Sequence, residues 1–133
     1  MIGKTGVHAI RALVQLSRLP DGQSLASAQV AARIDAPPNY LGKLLRQMAR
    51  RGLVESRKGA GGGFRLSRDP RSIRLLDVVE PIASVEGLSR CVLGQLECSD
   101  AAPCHVHPRW TSIRDDYLKM LAETTIADLV EGR

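Results

Sequence analysis

Apolar residues in the first third of the chain recur at steps of three and four, which is the spacing of an amphipathic helix. The pattern predicts a first helix over residues 5–19, with Thr5 as its cap, and a second within residues 24–34, with Ser27 as its cap. A third helix is predicted after Pro38, because proline lacks the N–H that finds no partner in a first helical turn. Three helices in this order predict a helix-turn-helix arrangement.

The third helix is predicted to have two different sides. Four apolar residues form one stripe along it: Leu41, Leu44, Leu45 and Met48. Polar and cationic residues lie on the opposite side: Asn39, Lys43, Arg46, Gln47 and Arg50. Gly52 follows them and can adopt the left-handed conformation that commonly ends a helix.

After Gly52 the pattern changes to the alternation typical of strands. Residues 53–56 and 64–67 both alternate, and the segment between them is rich in glycine: Gly59, Gly61, Gly62 and Gly63. This predicts a hairpin with a tight tip, which is the wing of a winged-helix protein. The fold class expected is mostly α, a winged helix-turn-helix head with a two-stranded wing, plus a long dimerisation helix.

The chain after the wing is predicted to contain a helix over residues 75–83, which Pro81 bends or ends. Residues 84–108 are expected to be irregular, and they hold all three cysteines. A long helix over residues 109–122 carries one apolar stripe, and a short helix follows at residues 125–130. The stripe consists of Trp110, Ile113, Tyr117, Met120 or Leu121, and Thr124.

That stripe lies outside the compact head, which favours packing against a second subunit, with packing inside the same chain as the alternative. The expected domains are a winged helix-turn-helix DNA-binding domain (1–83), a cysteine-containing loop (84–108), and a dimerisation helix with a C-terminal tail (109–133).

The net charge of +5 is concentrated in one part of the chain. Ten of the 19 Lys and Arg residues but only two of the 14 acids lie between Lys43 and Arg74, so this stretch carries +8. The alternative of a merely solvated face is disfavoured, because the charges coincide with a complete helix and hairpin. We therefore predict that the third helix enters the major groove of double-stranded DNA and that the wing meets phosphates or a minor groove. The predicted DNA-binding residues are Asn39, Tyr40, Lys43, Arg46, Gln47, Arg50, Arg57, Lys58, Gly61 and Gly62.

The second candidate site has the spacing Cys91-x6-Cys98-x5-Cys104-x2-His107. Three thiolates so close in sequence can converge on one metal centre, with imidazole as a fourth ligand. The spacing fits no zinc finger, so it does not identify the metal. A zinc site, a thiol redox switch and cysteines packed as small hydrophobic residues stay open as alternatives. His8, next to the apolar stripe of the first helix, is predicted to be packed or on the surface rather than a ligand.

Other functional classes are disfavoured. The glycine run is followed by a strand rather than a helix and lacks the Gly-Lys-Ser/Thr ending of a phosphate loop, so nucleotide binding is not expected. A cysteine nucleophile would need an oxyanion site that the sequence does not supply, so an enzyme is not expected. No run approaches the roughly 20 apolar residues of a membrane span, and no signal peptide is recognised, so a cytoplasmic location is expected.

Several motifs occur in one order along the chain, together with the cysteine triplet: Asn39-Tyr40-Leu41, Arg51-Gly52-Leu53-Val54, Gly61-Gly62-Gly63-Phe64-x-Leu66, Ile73-x-Leu75-x-Asp77-Val78-Val79, His107-x2-Trp110 and Thr125-Ile126-Ala127-Asp128-Leu129. As a set they resemble the IscR-type winged-helix transcriptional regulators, a family that includes the NsrR and RirA branches. The resemblance runs from about Lys4 to Leu129.

The resemblance implies a homodimer that binds a palindromic operator and holds an iron-sulfur cluster, 2Fe-2S in preference to 4Fe-4S, in the loop before the long helix. The matching ligand positions are Cys91, Cys98, Cys104 and, from the IscR branch, His107. The cysteine spacing of six and five departs from the usual five and five. Lys58 stands at a wing position where that branch usually has arginine, and Gly42 where an acid is common. Val7 stands where other branches have an acidic ligand.

The function expected is therefore a dimeric DNA-binding transcriptional regulator that senses iron-sulfur status, redox state or nitric oxide through the cluster. Some family members carry no cluster, so one alternative is a regulator that uses its cysteines as a thiol switch or zinc site. A further alternative, from a different class, is an adaptor that uses the same head to bind another protein.

Overall fold

The computed structural model describes residues 2–82, 91–93 and 99–132. The described elements are α1 (Lys4–Ser17), α2 (Ser27–Ile34), α3 (Pro38–Arg50), β1 (Val54–Arg57), β2 (Gly63–Leu66), a single 3-10 turn (Pro70–Ser72), α4 (Leu75–Val79), α5 (His107–Glu123) and α6 (Ile126–Glu131). This order confirms the predicted fold class, a mostly helical winged helix-turn-helix. None of the helices in the described part of the chain has the length and apolar character needed to cross a membrane.

The predicted caps of the first two helices are wrong. Thr5 lies inside the first turn of α1, because Gly3 takes the extended cap position and its carbonyl accepts the Val7 N–H at 3.0 Å. Ser27 is the first residue of α2 rather than its cap. The Gln29 side chain reaches back instead and accepts the N–H of Ala26 through Oε1 at 3.0 Å.

Proline explains two further differences from the predicted boundaries. α4 ends at Val79 rather than at residue 83, because Pro81 has no N–H with which to continue the helical hydrogen bonds, although Glu80 before it still has helical backbone angles. α5 begins at His107 rather than Arg109, because Pro108 is tolerated in a first turn. The predicted irregular segment falls partly outside the described residues, at 84–90 and 94–98.

Helices α1, α2 and α3 pack around an aliphatic core. The predicted α3 stripe is buried as expected, and Leu41, Leu45 and Met48 are fully enclosed together with Leu13 and Ile34. Burying one such side chain contributes about 1.5–3 kcal/mol relative to leaving it exposed. The apolar stripe therefore fixes which side of α3 is left for a partner.

The wing is joined to the helical core by a short antiparallel bridge between Leu25 and β2. β1 and β2 pair antiparallel, with Val54 opposite Leu66 and Arg57 opposite Gly63. Leu25 then forms an isolated bridge with Phe64: the Leu25 N–H donates to the Phe64 carbonyl at 2.9 Å, and the Phe64 N–H donates back at 2.7 Å. The wing is thus attached directly to the residues that precede α2.

The C-terminal part of the chain returns to the head. Leu121 of α5 and Ile126 of α6 are fully buried in the same core as α1 and α3. The Leu75 N–H donates to the Thr124 carbonyl and the Ile126 N–H to the Ile73 carbonyl, each at 2.9 Å. The sequence predicted that either Met120 or Leu121 belongs to the apolar stripe. In the structure Leu121 is the buried one.

Most of the remaining α5 surface is open. Ile113 is 54% exposed and Met120 is 46% exposed, whereas Leu121 is the buried residue of this helix. The apolar stripe of α5 is therefore only partly covered by the described part of its own chain.

Candidate nucleic-acid interface

The polar side of α3 is presented to solvent, as the sequence predicts. Five of the predicted DNA-binding residues lie there and are exposed: Asn39, Lys43, Arg46, Gln47 and Arg50. Pro38 begins the helix, and Gly52, at φ 75°, follows its last turn in the left-handed conformation. Because the opposite side is held in the core, this face has a fixed orientation relative to the wing.

Ion pairing divides the cationic stretch into two groups. Arg65 pairs with Glu55, Arg71 with Asp69 at 3.0 Å, and Arg74 with Asp77 at 2.7 Å. Hydrogen bonds from Arg71 and Arg74 hold the pKa values of Asp69 and Asp77 below their usual range. Within the described residues, the other seven cations of the stretch form no ion pair: Lys43, Arg46, Arg50, Arg51, Arg57, Lys58 and Arg68.

Gly42 lies beneath the Arg46 side chain on α3. A Cβ atom at Gly42 would lie 3.8 Å from Arg46 Nη2 and 3.5 Å from Ser27 Oγ. The Arg46 guanidinium therefore folds over this glycine, one turn back along the helix. An acidic side chain at position 42 would be placed to pair with Arg46, so the glycine leaves the guanidinium available.

Two of the predicted DNA-binding residues make contacts within the head. The ring of Tyr40 is half-buried and meets His8 edge to face, with ring centroids 5.5 Å apart. His8 is buried, so of the two placements that the sequence allowed, packed or on the surface, the structure shows the packed one. Arg57 is exposed, but its Nη1 donates to the Gly22 carbonyl at 3.3 Å, which links the wing to the turn after α1. That link joins residues 35 positions apart, and no sequence pattern indicated it.

The wing tip is shaped by glycine. Gly59 and Gly61 have φ values of 95° and 73°. A Cβ atom at Gly62 would lie 2.4 Å from the Arg57 carbonyl oxygen, so only glycine fits this close approach. The tip joins two strands rather than a strand and a helix, and it exposes Lys58 at the far end of the head.

The structure brings together two of the four candidate ligands in the cysteine loop. Cys91 Sγ and Cys104 Sγ lie 3.7 Å apart, and Cys91 is buried. Cys98 lies outside the described residues. His107 Nε2 lies 2.9 Å from Asp100 Oδ1, a contact that holds the pKa of the Asp100 carboxyl below its usual range. In the described ranges, no three His, Cys, Asp or Glu side chains are placed to hold a metal ion.

The two sulfur atoms nonetheless have a separation that suits a shared metal. Two thiolates bound at about 2.3 Å to one tetrahedral metal lie about 3.8 Å apart, and Cys91 and Cys104 are close to that distance. A histidine that binds metal through one ring nitrogen commonly donates its other N–H to a carboxylate. The contact between His107 and Asp100 is of that kind.

A cationic helix on a helical core, followed by a glycine-tipped hairpin, defines a winged helix-turn-helix head whose exposed face suits nucleic acid. Residues 2–132 match the model of the Rrf2 family, described as an iron-dependent transcriptional regulator. The chain belongs to the Rrf2 family of DNA-binding transcriptional regulators. This result confirms the resemblance predicted from the sequence and the prediction that the protein is not an enzyme.

Individual relatives agree with this assignment. A protein of Aquifex aeolicus (strain VF5), named as a candidate HTH-type transcriptional regulator, is 31% identical over 126 residues, which cover 92% of this chain and 86% of that protein. CymR, the global cysteine regulator of B. subtilis, has a TM-score of 0.82 at 22% identity, covering 100% of this chain and 98% of CymR. IscR of T. potens has a TM-score of 0.77 at 21% identity, covering 99% of this chain and 87% of IscR. The two structural similarities concern the fold.

Proposed function

We propose that this Rrf2-family regulator binds a palindromic operator as a homodimer, with α3 in the major groove and the wing tip at the neighbouring phosphates or minor groove. The observation that carries this proposal is the distribution of cations that form no ion pair within the described chain. They lie on the exposed side of α3, just after it, and along the wing. A cation that is already paired with an acid is less able to neutralise a DNA phosphate.

The exposed stripe of α5 supports the homodimer. Ile113 and Met120 are both about half exposed, and Val7 of α1 is a further exposed apolar residue. Large apolar side chains grouped on a long helix are typical of a surface that a partner covers. A two-fold dimer would present two α3 helices to the two halves of a palindrome.

The role of α3 can be tested with Arg46→Ala. A duplex selected from a random library by the wild-type protein serves as the operator. The variant is expected to bind it about 10- to 100-fold more weakly, since a bidentate contact to a base is worth about 1–3 kcal/mol. The control is Arg71→Ala, which removes the same charge from the same stretch but from an ion pair. Equal losses in both variants, measured by fluorescence anisotropy, would contradict the placement of α3 in the groove.

The signal-sensing part of the proposal is an iron-sulfur cluster held by Cys91, Cys98, Cys104 and His107, of the 2Fe-2S type. The 3.7 Å separation of Cys91 Sγ and Cys104 Sγ supports it. When bound, the cluster would supply a centre that reacts with oxidants and nitric oxide. The chain contributes the two adjacent thiolates and, through Asp100, a carboxylate that orients the His107 ring.

A cluster-free thiol switch is the second candidate, because the same distance favours it. Two thiols in contact can be oxidised by a peroxide, which takes up two electrons and two protons and leaves a disulfide and water. Such a bond has an S–S length of about 2.05 Å, so Cys91 and Cys104 would need only a small approach. A zinc site at the same cysteines would differ from both candidates in the metal that elemental analysis finds.

Anaerobic purification separates these candidates. The wild-type protein is expected to contain iron and acid-labile sulfide and to absorb visible light. Cys98→Ala and Cys104→Ala are expected to lose all three signals, because each removes a thiolate ligand. His107→Ala is expected to weaken them, while His105→Ala, at an exposed neighbouring histidine, serves as the control. Wild-type protein without iron or sulfide would exclude the cluster. Zinc content, or thiol loss on treatment with peroxide, would then decide between the other two.

A further inference from the structure

A polar cleft lies beside the DNA-facing side of α3 and was not anticipated from the sequence. It has a volume of about 510 Å³ and is bounded by the start of α1, the end of α3 and the residues after α4. Its lining consists of Thr5, Gln47, Arg50, Arg51, Pro81 and Ile82. Two of these residues, Gln47 and Arg50, also belong to the exposed polar side of α3, so the cleft continues that surface.

The charge of the cleft is positive and not neutralised by the described chain. Arg50 and Arg51 are both exposed, and neither forms an ion pair with a described acid. Arg51 Nη2 donates to the Pro81 carbonyl at 3.1 Å, which holds this guanidinium at the wall of the cleft. A guanidinium has five N–H donors, and this contact uses only one of them. The cleft therefore presents positive charge and guanidinium N–H groups to solvent.

The helix that forms the other wall adds to this preference. Thr5 lies in the first turn of the 14-residue helix α1, whose cap residue Gly3 has no side chain to satisfy the first N–H groups. The N-terminal end of a helix carries a partial positive charge. This end faces the same cleft as the two guanidinium groups.

We propose that the cleft binds a phosphate of the DNA backbone, next to the bases that α3 contacts. This inference rests on the proposed docking of α3 and extends it to a third contact, through Arg51 and the start of α1. The open, polar lining favours a phosphate of a polymer over a small molecule, because small-molecule sites are enclosed and mostly apolar. Such a contact contributes affinity but no sequence information.

The test compares Arg51→Gln with the wild-type protein on the selected operator and on an unrelated duplex, at several salt concentrations. Both affinities are expected to fall by the same factor, roughly 3- to 10-fold at low salt, and the slope of log affinity against log salt to become shallower by about 0.9. Arg51→Lys is expected to recover much of the affinity. The control is Arg18→Gln, which changes an exposed cation just after the far end of α1 that likewise forms no ion pair with a described acid. Thermal unfolding verifies that each variant is folded.

Three results would overturn the inference. Arg51→Gln could behave like Arg18→Gln, or it could change the preference for the operator over the unrelated duplex, which would indicate base contact. It could also leave DNA binding intact while abolishing binding of inorganic phosphate to the DNA-free protein, which would assign the cleft to a small anion. If Arg46→Ala weakens operator binding and Arg51→Gln does not, the cleft inference fails and the proposed function stands. If neither variant weakens operator binding, the proposed docking of α3 itself fails.

Discussion

Alanine at Gly63 is expected to detach the wing from the helical core and to lower the free energy of unfolding by about 3 kcal/mol or more. Gly63 has φ 142°, and an added Cβ would lie 2.3 Å from the Leu25 carbonyl oxygen and 2.6 Å from the Ala26 nitrogen. Both atoms are backbone, so the contact cannot be relieved by moving a side chain. Urea unfolding gives the loss of stability, and hydrogen exchange at the Leu25 and Phe64 amides reports whether the bridge opens.

Gly61→Ala is the matched control for this substitution. Gly61 also has a positive φ, 73°, but a Cβ there would meet no atom within 4 Å. Its cost is expected to be about 1 kcal/mol, from the left-handed backbone alone. If the two variants were equally destabilised, backbone conformation rather than the approach to Leu25 would be the origin of the effect.

Truncation of Leu121 is the second large effect that we expect. Leu121→Ala should lower the free energy of unfolding by about 2–5 kcal/mol, since a fully buried leucine leaves a cavity in the core that joins α5 to the head. The measurement is urea unfolding at a fixed protein concentration.

The neighbouring residue Met120 provides the control. It is 46% exposed on the open side of α5, so Met120→Ala should change the stability of the folded chain far less. If α5 is the dimer interface, this variant instead raises the dimer dissociation constant in analytical ultracentrifugation. A monomer–dimer equilibrium unaffected by both Met120→Ala and Ile113→Ala would contradict the proposed interface.

The helix and hairpin of the head were predictable because their causes are local. The stripe ending at Met48 and the glycine after α3 are properties of adjacent residues, and the structure confirms both. The ends of the helices were less predictable, because Gly3 and Gln29 took over capping from the expected Thr5 and Ser27. Competition between nearby caps is decided by small energy differences that composition does not reveal.

The candidate site was predictable in its location but not in its contacts. The charge count placed Arg65 and Arg57 in one cationic stretch, yet Arg65 is paired with Glu55 and Arg57 contacts Gly22. Such pairings depend on the register of β1 and β2 and on the packing of α1, which are long-range properties. The sequence indicated Arg51 only as one cation of the stretch, and its place in a cleft depends on Pro81, 30 positions away.

The cysteine loop shows the same limit. Spacing indicated that Cys91 and Cys104 could meet, and their sulfur atoms lie 3.7 Å apart. Spacing could not indicate that Asp100 would contact His107, because that requires the loop to fold back on the first turn of α5. The ligand set itself stays a prediction, with Cys98 outside the described residues.

The return of the C-terminal segment to the head has a consequence for synthesis of the protein. Leu121 and Ile126 complete a core that begins with α1, so contacts that stabilise the head span more than a hundred residues. Long-range contacts of this kind form late in folding, and the chain emerges from the ribosome from its N-terminus. A nascent chain that already exposes α3 and the wing still lacks part of its core. The head is therefore expected to reach its full stability only once Ile126 has left the ribosome.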